Sequence, residues 1–171
     1  MTGPQARLLP DGDRLHLQHG PIDLVIGADG PPGARQAAFQ AARVRFDSVL
    51  TELVAELPLL RRPVGEMPAG VIARRMVAAT LPHWSGVFVT PMAAVAGAVA
   101  EEILAALCAA APLNRAYVNN GGDIALHLAP GARFAVAVAG PEGQDFGRIN
   151  LGHADPVRGI ATSGWRGRSF S

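Results

Sequence analysis

The chain predicts an α+β domain, an antiparallel sheet backed by helices, and three observations carry that reading. Segments of alternating polarity come first, at Leu8–Ile26. Long apolar-periodic segments fill the middle, about Ala34 to Leu57 and Met92 to Ala110. Alternating segments then return after Tyr117. Strands, then helices, then strands, joined mostly by tight turns, give segregated layers rather than alternating parallel βαβ units. A chain of 171 residues is read as one domain, 1–171. It is long enough to bury roughly 70% of its unfolded surface.

Composition narrows the chemistry. With 49% apolar and 17% charged residues, the chain is not a disordered one. A formal net charge of +1 supplies no general basic field, so no nucleic-acid partner is expected. All fifteen basic residues are arginine. That excludes a P-loop, a lysine Schiff base and lysine acid/base chemistry. Cys108, the only cysteine, sits in an apolar run and reads as a buried structural thiol. The N-terminus, with Pro4, Arg7, Pro10 and Asp11, lacks the apolar core of a signal peptide. The greasy run Val87–Leu113 is interrupted by Glu101-Glu102. Two carboxylates at mid-membrane cost on the order of 2.5–3.5 kcal/mol each. The expectation is a soluble, cytoplasmic protein without membrane contact.

In order, Leu15 and Leu17 alternate with polar neighbours, His19-Gly20-Pro21 turns, and Ile22, Leu24 and Ile26 alternate again, predicting a β-hairpin. His16 and His19 are expected at the surface. From Ala34 to Leu57, Phe39, Ala42, Phe46, Val49, Leu50, Leu53 and Leu57 recur at three- and four-residue steps, and Pro58 stops the helix. The arginines of this helix read as a solvated face. A second helix is predicted over Val71–Leu81, with Trp84 beyond it as a lid on the core edge. Gly86-Val87-Phe88-Val89 reads as a buried strand. Thr90 then caps, and Pro91 opens, a helix over Met92–Ala110. Its first half, Ala93–Ala100, has almost no side-chain volume, which suits close approach to a sheet, a helix or a flat ligand; tight packing alone explains most of its alanines. Gly97 stands out, because a mid-helix glycine costs roughly 1 kcal/mol relative to alanine. Strands are expected at Ile124–Leu128 and Phe134–Ala139, joined as a hairpin by Ala129–Ala132, with a short one at Ile149–Leu151.

The chain is organised around Asn119-Asn120-Gly121-Gly122-Asp123. Two asparagines and two glycines tolerate positive φ and leave N–H groups uncovered. Such groups can form an anion-binding nest, with Asp123 on its rim. They equally suit an ordinary hairpin turn. Thr162-Ser163-Gly164 is a second polar turn, whose hydroxyls suit a phosphate or ribose. The binding residues predicted are Thr90, Met92, Gly97, Asn119, Asn120, Gly121, Gly122, Asp123, Thr162, Ser163 and Gly164. No catalytic residue and no metal ligand is assigned.

Val95-Ala96-Gly97-Ala98-Val99-Ala100-Glu101, Asn120-Gly121-Gly122-Asp123-Ile124 and Ala161-Thr162-Ser163-Gly164, in that order, resemble motifs of the ApbE-like superfamily of FAD:protein FMN transferases. The resemblance implies a T-fold-like domain that binds FAD or FMN. In its transferases, magnesium activates the pyrophosphate and FMN passes to a threonine of a partner protein. Ala96 stands where those enzymes carry lysine and Glu101 where they carry aspartate. The family continues beyond a point matching Ser171, through the stretch that carries its magnesium ligands, so Mg2+ is expected only with such a stretch. Three functions follow: a binder of a small-molecule nucleotide cofactor, an FMN transferase, or a non-catalytic interaction module forming a homo-oligomer.

Overall fold

The computed structural model describes residues 3–63, 65–86, 88–139 and 144–162. Six strands form one antiparallel sheet in the order β1-β2-β3-β4-β5-β8: β1 Gln5–Leu8, β2 Arg14–His19, β3 Ile22–Asp29, β4 Arg115–Asn120, β5 Asp123–Leu128 and β8 Gly159–Ile160. Two more strands, β6 Arg133–Ala139 and β7 Asp145–Gly152, pair with each other. The helices are α1 Ala34–Ala55, α2 Leu57–Leu60, α3 Val71–Thr80 and α4 Val95–Ala110. The architecture is therefore α+β, an antiparallel sheet backed by helices.

Alternation along the strands decides which residues meet the helices. Leu15, Leu17, Leu24, Ile26, Ala116, Val118 and Ala125 are buried on one face, against Phe39, Phe46 and Val49 of α1 and Val99, Ile103 and Leu107 of α4. Full burial of a side chain such as Phe46 stabilises by about 1.5–3 kcal/mol. The opposite face carries Tyr117, Ile124, Leu126 and Leu128, in a cluster without helix residues among those described. The β6–β7 ribbon covers them with Phe134, Val136 and Leu151.

An ionic clamp ties three helices together. Glu102 of α4 accepts from Arg45 of α1 (2.8 Å) and from Arg75 of α3 (3.0 Å). Arg45 also holds Glu52 by two bonds, at 2.8 and 2.7 Å. Arg75 reaches Glu101 (3.0 Å) and the Ala98 carbonyl (3.2 Å). The paired carboxylates that interrupt the greasy helix thus fix it to its neighbours. The helical stretch Pro91–Ala110 is nevertheless long and apolar enough to cross a membrane by length and composition, with a mean hydropathy of 1.8.

Several expectations change. The described residues of 86–89 form no strand, and Phe88 is 82% exposed. Both sides of β3 are already taken, by β2 and β4, and four apolar residues carry no period that separates strand from loop. The Ala129–Ala132 turn exists, closed by Ala132 N–H to the Ala129 carbonyl at 3.0 Å, but its flanking strands are not a hairpin. β5 pairs with β4 and β8, and β6 crosses onto the sheet face. β7 is longer than the three residues expected. The chain enters α4 through a 3-10 turn, Pro91–Ala94, and Thr90 makes no side-chain capping bond. His16 is largely covered, between Arg7 (3.3 Å) and Asp23 (3.0 Å). His19 packs edge-on to Phe46, with Nδ1 buried and without a hydrogen-bond partner among the described residues. Cys108 is half-buried, and burial pushes its thiol up.

Candidate functional site

The site is built on the tip of the β4–β5 hairpin. Asn120 pairs with Asp123 across a two-residue loop, Gly121 at φ 62° and Gly122 at φ 109°. Both angles lie where a Cβ is strained, so the double glycine is what this turn demands. Directly opposed residues of an antiparallel pair share a face. Asn120 and Asp123 therefore project toward the helices, as Val118 and Ala125 do two pairs inward.

Asn120 is buried, and its Nδ2 donates to the Ala96 carbonyl of α4 at 3.1 Å. That bond ties the hairpin tip to the first turn of α4. On the same turn, a Cβ added to Gly97 would meet nothing within 4 Å, so this glycine opens onto space rather than onto a close neighbour. Thr90 and Met92, both half-buried, lie on the segment that feeds this turn, and Met92 packs against the core. Asp123 is half-buried with no hydrogen bond or ion pair among the described residues, and burial pushes its carboxyl up.

The other side of the tip is built differently. Gly122 alternates with Asp123 and faces the β6–β7 side. A Cβ there would lie 3.3 Å from Thr162 Cβ, and Thr162 N–H donates to the Gly122 carbonyl at 3.2 Å. Asn119 Oδ1 accepts from Gly122 N–H at 2.9 Å. Three stretches distant in sequence, at residues 96–97, 119–123 and 162, thus converge. They do so on two sides of the sheet: Gly97, Asn120 and Asp123 on the helix side, Asn119, Gly122 and Thr162 on the other. Ser163 and Gly164 lie outside the described residues.

The expected row of free amides is corrected. The N–H groups of Gly122 and Thr162 are used within the protein, which leaves the exposed Gly121 amide as the remaining donor of the turn. Two hollows among the described residues also lie elsewhere. One, of about 300 Å³, lies between β1 and α1; the other, of about 100 Å³, lies beside Trp84. Among the described residues no three His, Cys, Asp or Glu gather as a metal group. The Ala96 carbonyl is the contact that residue reading could not find, since every backbone carbonyl is an equal acceptor in sequence.

Fold and site together define a small α+β protein with a polar cluster at one hairpin tip, anchored to the start of a helix. A family model described as AbpE bacteria matches residues 6–171, and the chain belongs to that family. This overturns the ApbE-like resemblance, because the family shown is a different one. The motifs misled for a local reason. Gly-Gly-Asp is what a two-residue turn with two positive φ values selects, and small residues are what close helix–sheet packing selects. No curated protein and no solved structure matches the chain.

Proposed function

We propose that this protein binds a small phosphate-bearing nucleotide at the β4–β5 hairpin tip, with the flavin nucleotides FMN and FAD the first ligands to test. The observation that carries the reading is the half-buried Asp123 carboxylate, without a partner among the described residues, where three separate stretches converge. A carboxylate withdrawn from water without a donor is costly, and it is commonly retained where a ligand supplies the donor. Sugar or ribityl hydroxyls are such donors. The phosphate would lie away from Asp123, across the tip, near the Gly121 amide and the Thr162 hydroxyl. The two-sided layout suits a ligand with a polyol at one end and an anion at the other. We also infer a T-fold-like arrangement of the sheet and helices. It is supported by the strand pairs β2–β3 and β4–β5 sharing one sheet, with α1 and α4 packed against each other over one face.

The test uses Gly97→Ala. Open space and the better helix propensity of alanine predict a variant as stable as the wild type, or up to ~1 kcal/mol more stable. If the ligand approaches this turn, thermal stabilisation by FMN or FAD falls in the same variant. Absence of any thermal shift or fluorescence quenching in the wild type at about 1 mM ligand contradicts the proposal.

A further inference from the structure

A second feature, independent of the hairpin tip, lies where α2, α3 and the segment after Thr80 meet. A hollow of about 100 Å³ has Leu60 and Val77 buried at its base, with Met67 60% and Leu81 53% exposed among its lining residues. Trp84 and Pro91 complete its apolar wall. At ~30 Å³ per water-sized unit, it takes about three such units. That is room for one leucine-sized side chain and too little for an acyl chain.

The charge around it is lopsided. Arg62 lines the hollow, Arg61 adjoins it in sequence, and Arg74 lies seven residues before Leu81, two helical turns along the exposed side of α3. All three are exposed, and none joins an ion pair among the described residues, whereas Arg45, Arg75 and Arg115 all do. Acidic counterparts are few. Glu66 lines the hollow, and Glu56 is committed to the Ala69 and Gly70 amides at 2.5 and 3.0 Å. The Trp84 indole N–H is also buried, without an acceptor among the described residues.

We propose that this surface docks an acidic peptide segment of a partner protein: one apolar side chain fills the hollow, and flanking carboxylates pair with Arg61, Arg62 and Arg74. Guanidinium–carboxylate pairing supplies orientation and the apolar anchor supplies most of the hold. The test titrates the full chain with labelled, end-blocked peptides of the pattern Asp-Glu-X-Glu-Asp, with X set to Leu, Met, Phe or Ser, and reads fluorescence polarisation. The apolar peptides are expected to bind and the Ser peptide to bind at least about tenfold more weakly. Raising salt from about 0.15 M to about 0.5 M weakens the binding. Arg62→Glu and Leu81→Glu, both at exposed positions, are expected to abolish it while leaving the melting temperature near that of the wild type. No binding by any apolar peptide at about 1 mM overturns the proposal. So does binding that both variants retain, or capture by phosphatidylglycerol vesicles without capture of the peptides.

Discussion

Replacing Glu102 by glutamine separates the charge of the helix clamp from its shape. Glu102 is 14% exposed, and its two guanidinium partners are 22% and 28% exposed. Breaking a fully buried pair costs about 3–5 kcal/mol, and an exposed pair contributes about 0–1. Here each arginine keeps another partner, Arg45 holding Glu52 and Arg75 holding Glu101, so the loss falls between these limits, at about 2 kcal/mol. For a chain of this length that corresponds to a drop in Tm of about 4–8 °C, read by urea and thermal unfolding followed by circular dichroism. The pH dependence gives a second reading. Burial pushes the Glu102 carboxyl up, but the bonds from Arg45 and Arg75 outweigh it and leave it below its usual 4.5. A carboxyl lowered by folding stabilises the protein above its unfolded value and loses that contribution as pH falls through the folded one. The difference between wild type and Glu102→Gln is therefore full near neutral pH and shrinks below about pH 4.5. A change smaller than about 0.5 kcal/mol at pH 7 refutes the reasoning, and so does a gap that persists unchanged into acid.

Three further outcomes follow from the geometry. Gly122→Ala should destabilise more than Gly121→Ala, by about 1–3 kcal/mol against about 1, because only Gly122 combines a positive φ with a 3.3 Å contact to Thr162; thermal melts of both variants check the order. Asp123→Asn should raise Tm at pH 7 and leave it unchanged near pH 3. Burial pushes that carboxyl up, so its unfavourable ionised form is present only as pH rises through the raised value. The same variant should lose nucleotide-induced stabilisation. Phe46→Ala should cost about 3–5 kcal/mol in urea unfolding, as a fully buried ring between sheet and helices leaves a cavity behind.

What was legible in the sequence was whatever a repeated local period could encode. α1 runs Ala34–Ala55 because Phe39, Ala42, Phe46, Val49 and Leu53 return every three or four residues, and β2 and β3 pair because their alternation and turn agree. The Gly121-Gly122 bend was visible because few residues accept its φ angles. What could not be read depended on tertiary choice. Phe134 and Val136 alternate like any strand residues, and nothing local says that they cover Leu126 and Leu128 instead of pairing beside them. Phe88 looks like core and is exposed, because so short an apolar run carries no period that says what will cover it. At the hairpin tip the residue types were predicted, yet the division of the cluster between two faces follows from register, and a one-residue slip would reverse it.

The claim that a nucleotide binds at this tip is tested most directly by amide-resolved NMR titration of the whole chain with FMN and with FAD. The account predicts saturable shifts at Ala96–Gly97, Asn119–Asp123 and Thr162, with the rest of the sheet unmoved and the response lost in Asp123→Asn. Shifts confined to the hollows beside Trp84 or between β1 and α1, or no shifts at about 1 mM nucleotide, would contradict it.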